Sequence, residues 1–150
     1  MQEFRSIDEV LDYAIRREEQ AAKMYAELAS SVKRPGMREA FLEFAAEEGR
    51  HKARLMKVKA GEMPAVTSEQ VADLKITETL AEPVRSSNMT YAEALVLAMK
   101  AEKEAFKLYT DLAALAPPSL AEVFRSLAQE EAKHKLRFEL EYDEHVLEGV

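Results

Sequence analysis

The chain contains no cysteine, which excludes disulfides, iron–sulfur clusters and thiol catalysis within it. Glycine occurs four times and proline five, so breaks in regular structure are few. No apolar run is longer than about six residues (Ala94 to Met99), against the ~20 that a membrane span requires. The opening MQEFRSIDEV is too charged for a secretory signal, so the expected setting is the cytoplasm, with no membrane partner. A basic patch is lacking too: Lys and Arg are interspersed with Glu along every segment, and the net charge is -7. That argues against a nucleic-acid partner, whose phosphates need clustered cations. Nor does any stretch read as a strand bounded by turn residues.

What is there suits helices. The 150 residues are 47% hydrophobic and 33% charged, with Ala, Glu, Leu, Lys and Arg dominant. This length fits one domain, residues 1–150, with a real core. Ser6 with Glu9, Thr90 with Glu93, and Ser119 with Glu122 have capping-box spacing ahead of apolar periodicity. Pro35-Gly36 marks a fourth start, because proline is tolerated in a first turn. These signals predict helices at about 6–31, 35–60, 90–115 and 119–146. The short breaks make two antiparallel hairpins, about 6–60 and 90–146, joined by a long crossover at 61–89. The crossover carries Val66, Val71, Leu74, Ile76 and Leu80, so it is expected to pack, with a short helix from Ser68. The predicted fold is all-α, an antiparallel four-helix bundle.

The hairpins repeat one another. Residues 14–29 align without gaps on 98–113, and 41–55 on 124–138. Within the second pair, AEEGRHKARL (46–55) and QEEAKHKLRF (129–138) each place a Glu three residues before a His: Glu48 with His51, Glu131 with His134. One such pair is a weak signal, expected at about 15% of histidines from Glu content alone. Position makes it strong. The core-facing stripe of the first helix runs Ile7, Leu11, Ala14, then Glu18, then Ala21, Tyr25 and Leu28. Glu48 with His51, Glu102, and Glu131 with His134 interrupt the other three stripes. Counted from the turns at ~1.5 Å per residue, each pair of helices brings its carboxylates to one height, roughly 22 Å from its turn.

Four Glu and two His therefore converge on one layer. Buried carboxylates cannot coexist unpaired, and two divalent cations would cancel their charge. A Glu from each of two helices with Glu-x-x-His from each of the other two is the ligand pattern of di-iron and di-manganese carboxylate bundles. Oxygen and nitrogen donors accept either metal, so iron and manganese both remain open. Tyr25 and Tyr109, two turns beyond Glu18 and Glu102, are placed to hydrogen-bond a ligand carboxylate or to fill the core. Glu19, Glu47, Glu104 and Glu130 lie off the stripes and read as solvated; His145 reads as exposed.

The set Glu18…Tyr25, Glu48-x-x-His51, Glu102…Tyr109 and Glu131-x-x-His134 resembles rubrerythrin-like members of the ferritin-like di-iron superfamily. The resemblance implies two Fe ions, with Glu18 and Glu102 terminal, Glu48 and Glu131 bridging, and His51 and His134 each on one ion. It also implies an oxidoreductase that reduces peroxide or dioxygen. Three features depart from relatives. No cysteines form a rubredoxin centre, so electrons would come from an external donor. Ala105 stands where rubrerythrins carry an additional carboxylate, and Gly49 where a bacterioferritin has its haem-binding Met. A homodimer is compatible with these features. Two other readings stay open: iron handling, by ferrous oxidation with storage or delivery, and a metal-free polar layer in a structural bundle.

Overall fold

The N-terminal helix starts where a serine can cap it. Ser6 adopts an extended conformation and its hydroxyl accepts from the Glu9 N–H at 3.2 Å, opening α1 (Ile7–Ser31). In this computed structural model the described residues are 2–4, 6–32, 35–61, 68–73, 77–78 and 89–148. The end of α1 carries Ser30 and Ser31, whose hydroxyls bond the Glu27 carbonyl at 2.7 and 3.1 Å and compete with further helix. Helix α2 (Pro35–Ala60) begins on its proline, as expected. Helix α3 (Ser68–Asp73) is the short helix read in the crossover. A full capping box between Thr90 and Glu93 opens α4 (Tyr91–Leu115). Helix α5 runs from Pro118 to Glu148.

Two details correct the sequence reading. Ser119 does not cap α5: the helix begins one residue earlier, and Ala121 already donates to the Pro117 carbonyl at 2.8 Å. A two-residue antiparallel pairing also exists, β1 (Gln2–Glu3) with β2 (Thr77–Glu78), too short to leave a periodic signature. In the crossover Val71 is buried; Val66, Leu74, Ile76 and Leu80 lie outside the described residues.

Helices α1 and α2 pack closely on each other, as do α4 and α5, and the hairpins meet through α1 with α4 and α2 with α5. Tyr25 reaches Glu102 while Tyr109 reaches Glu18, so α1 and α4 are antiparallel. His51 lies beside Glu131 and His134 beside Glu48, so α2 and α5 are antiparallel too. It follows that α2 and α4 point the same way, and their connection has to return along the bundle. A tight turn cannot do that. Among the described residues no helix is long and apolar enough to cross a membrane.

The apolar interior comes in two blocks. One gathers Leu11, Ala14, Leu55, Val58, Leu108, Leu112, Phe124 and Leu127. The other gathers Met24, Leu28, Met37, Phe41, Leu95, Ala98 and Phe138. Every long helix contributes to both and changes from one to the other at its interrupting Glu. Burying those stripes holds the layer between them in place. Leu112 is fully buried, so Leu112→Ala should lower unfolding free energy by about 2–5 kcal/mol in urea titrations.

Candidate metal centre

The waist between the apolar blocks holds Glu18, Glu48, His51, Glu102, Glu131 and His134, all buried. Their donor atoms fall into two overlapping groups, each within 4.8 Å: Glu18, Glu48, His51 and Glu131, then Glu48, Glu102, Glu131 and His134. Glu48 and Glu131 belong to both. Three-residue spacing puts each Glu and its His on one helix face. The antiparallel crossing of α2 and α5 then sets each His against the other helix's Glu. The Nδ1 of His51 lies 2.9 Å from Glu131, 3.5 Å from Glu18 and 3.7 Å from Glu48. The Nδ1 of His134 lies 3.0 Å from Glu48 and 3.8 Å from Glu102. The imidazoles are nearly parallel, with centroids 6.3 Å apart.

The tyrosines cross between hairpins. Tyr25 on α1 donates its hydroxyl proton to Glu102 on α4, and Tyr109 on α4 donates to Glu18 on α1. Each fixes one carboxylate oxygen and leaves the other turned to the layer. The histidines are held from behind. Glu47 bonds the His134 Nε2, and Glu130 lies 3.0 Å from the His51 Nε2. This overturns the expectation that both are merely solvated: Glu47 is 25% exposed and Glu130 38%. The doubled Glu at 47–48 and again at 130–131 was the available signal. The Glu47 carboxylate on the His134 Nε2 favours a proton there and leaves that ring's Nδ1 lone pair facing the layer. Arg54 steadies Glu130 at 3.2 Å, and the Phe44 ring packs 4.3 Å from that of His134. Glu104 also turns out to be engaged, at 3.0 Å from the buried Arg17. Glu19 pairs with Lys52 at 2.8 Å and remains about half exposed, as expected.

A protein-family model described as Rubrerythrin matches residues 9–142. The chain belongs to the rubrerythrin family. No match was found among curated proteins or among solved structures. The matched segment takes in all six buried donors and both tyrosines of this rubrerythrin site.

Whether the layer fits a metal follows from its orphaned atoms. Both oxygens of Glu48, one each of Glu18, Glu102 and Glu131, Nδ1 of both histidines and Nε2 of His51 are buried without a hydrogen-bond partner. Buried polar atoms are ordinarily paired, so a cluster of orphans converging on one layer calls for a bound cation. Carboxylate oxygens and imidazole nitrogens suit divalent iron or manganese. The residues fit.

Without metal the layer must hold protons. Burial pushes Glu48 and Glu131 well above the ordinary carboxylate value of 4.5, reinforced by the charges of neighbouring glutamates. Burial also acts to raise Glu18, but the close approach of Glu48 and His51 and the hydrogen bond from Tyr109 leave it lowered. Burial alone would depress His51 and His134; the nearby carboxylates of Glu18 and Glu102 respectively raise both above 6.5 instead. Tyr25 and Tyr109 are raised by burial and by the carboxylates around them, and stay protonated donors.

Raised carboxylates keep protons that the unfolded chain releases above 4.5, so their contribution is lost as pH rises through their folded values. The histidine contribution is complete below 6.5 and is likewise lost as pH rises through the folded values. Glu18, being lowered, loses its contribution only in acid. The metal-free protein should therefore melt at falling temperature as pH rises above 4.5 and on past 6.5, while metal-loaded protein shows the opposite slope by calorimetry. Replacing a histidine's backing carboxylate, Glu47→Gln or Glu130→Gln, should weaken metal affinity by about 10–100-fold in chelator competition, with the helical spectrum unchanged.

Proposed function

We propose that the chain is a di-iron oxidoreductase that reduces peroxide or dioxygen with electrons from an external donor. The observation that carries this reading is the pair of four-residue donor groups sharing Glu48 and Glu131. In it Glu18 with His51 would hold one ion and Glu102 with His134 the other, with Glu48 and Glu131 common to both groups. Two ferrous ions bound there would supply one electron each and Lewis acidity toward the oxidant. Tyr25 and Tyr109 anchor the terminal carboxylates from across the bundle and keep each oriented. The two apolar blocks exclude water above and below the layer, which strengthens every charge interaction within it.

Access is offered between α2 and α5. An open cleft of about 380 Å³, lined by Glu43, Phe44, Glu47, Glu130, Lys133 and Arg137, reaches His134. That is room for a small oxidant. Its glutamates also favour a second reading, ferrous ions drawn in for oxidation and storage or delivery. With no cysteine among these residues, no thiol or iron–sulfur centre within them supplies reducing equivalents.

Anaerobic loading with ferrous iron should give about two ions per chain. Mixing with hydrogen peroxide or dioxygen should oxidise them, and a reductant should sustain repeated turnover. Iron that stays ferrous, or oxidises once and cannot be cycled by any donor, defeats the oxidoreductase reading. Uptake of many irons per chain, in a large assembly by mass measurement, decides for iron handling.

A further inference from the structure

Some of the charged groups around the cleft that reaches His134 are already committed. Glu47 is bonded to the His134 Nε2. Glu130 is held by Arg54 at 3.2 Å and lies 3.0 Å from the His51 Nε2. That leaves Glu43 against Lys133 and Arg137, one negative charge and two positive. Lys133 and Arg137 are exposed, and neither forms an ion pair or a side-chain hydrogen bond among the described residues. They stand four residues apart on α5, which puts both on one face of that helix and within reach of a single ligand. Phe44 and Ala40 give the cleft an apolar wall.

The repeated hairpin shows the same cations used internally. The gapless offset sets Arg54 opposite Arg137, Arg50 opposite Lys133 and Glu130 opposite Glu47. Beside His51, Arg54 spends its guanidinium on Glu130, the carboxylate behind that histidine. Beside His134, Arg137 lines the same cleft as Glu47 but forms no such bond to it. Phe44, whose ring packs 4.3 Å from that of His134, stands where the other half has the fully buried Leu127, and Glu43 where it has Ser126. The two histidine sides are therefore unequal. One keeps Arg50 alone uncommitted; the other keeps a lysine and an arginine at an opening of about 380 Å³. In a chain of net charge -7 most of the surface repels anions, so two free cations beside a buried donor single one out.

Resting on the oxidoreductase reading, we propose that this cleft docks the external electron donor, and that the donor is a small organic anion of the enediolate class. Arg137 presents a planar fork of N–H donors that matches two adjacent oxygens, and Lys133 adds a point charge beside it. Phe44 and Ala40 receive the carbon skeleton. A donor seated there lies against the His134 edge of the layer, so its electron has a short path inward. On giving up one electron, the enediol monoanion releases its remaining hydroxyl proton to water in the open cleft and leaves as a radical anion. The electron converts one ferric ion, formed when peroxide oxidised the layer, back to ferrous. Two such transfers restore both.

The test uses the full chain loaded anaerobically with ferrous iron, which ascorbate does not reduce further, so binding is read without turnover. Calorimetric titration with ascorbate should give one site per chain, weakened by added salt. Lys133→Gln with Arg137→Gln should lower the affinity at least about tenfold. Lys100→Gln with Lys103→Gln, which removes two exposed cations from α4, should leave it unchanged. After oxidation by peroxide, the cleft variant should be re-reduced by ascorbate at least about tenfold more slowly, and by the neutral donor hydroquinone at the wild-type rate. No ascorbate binding at millimolar concentration, or equal affinity in the cleft variant, overturns the donor site. Equal slowing with both donors overturns it too, because a site that reads charge distinguishes them. These failures leave the oxidoreductase reading standing. Ferrous iron that peroxide leaves unoxidised in wild type overturns that reading, and the donor's role with it.

Discussion

Carboxylates drawn into a space that water does not reach repel one another, and each forfeits its hydration. That penalty organises the waist of this bundle. Glu18, Glu48, Glu102 and Glu131 occupy the places where the apolar stripes should continue, and their close cationic partners among the described residues are the two histidines. Protons meet part of the need, as the raised carboxylates show, and divalent cations are the proposed remainder. The two apolar blocks hold the carboxylates together: separating the helices would hydrate the layer but expose both blocks as well.

Around the layer, contacts pass between helices instead of along them. Tyr25 and Tyr109 bind across α1 and α4, and Glu47 and Glu130 across α2 and α5. Glu18, Glu102 and both histidines are thus each approached by a residue on another helix. The approximate two-fold relation between the hairpins repeats this scheme, but only near the layer. Away from it the halves differ: Glu130 is steadied by Arg54, and one end of the bundle carries an aromatic run from Tyr25 through Phe138 and Phe41 to Tyr91. A duplicated hairpin is free to diverge wherever the shared site does not hold it.

Much of this was legible in the chain. Capping residues and prolines mark the helix ends, because an unsatisfied N–H or a missing one leaves few alternatives. Ser6, Pro35 and Thr90 each sit where a long helix begins. Ser119 misled because two prolines precede it, and Pro118 itself enters the first turn. The convergence of Glu18, Glu48, Glu102 and Glu131 followed from counting residues to each turn, since helical rise is constant. Glu47 and Glu130 escaped notice because each lies one residue off its own stripe. That places them about 100° around the helix, a direction that means solvent for an isolated helix.

By itself the sequence determined the helices, their pairing into hairpins and the identity of the buried donors, because periodicity and capping are local properties of the backbone. Only the tertiary structure decided what each flank of a helix faces. The antiparallel crossing of α2 and α5 turned Glu47 and Glu130 from solvent toward the histidines, and the return of α4 beside α1 gave each tyrosine its carboxylate. It also stacked Phe41, Phe138 and Tyr25 from three helices into one run. Such contacts depend on the rotation of one helix against its neighbour, which the packing of all the stripes sets together and no single stripe contains.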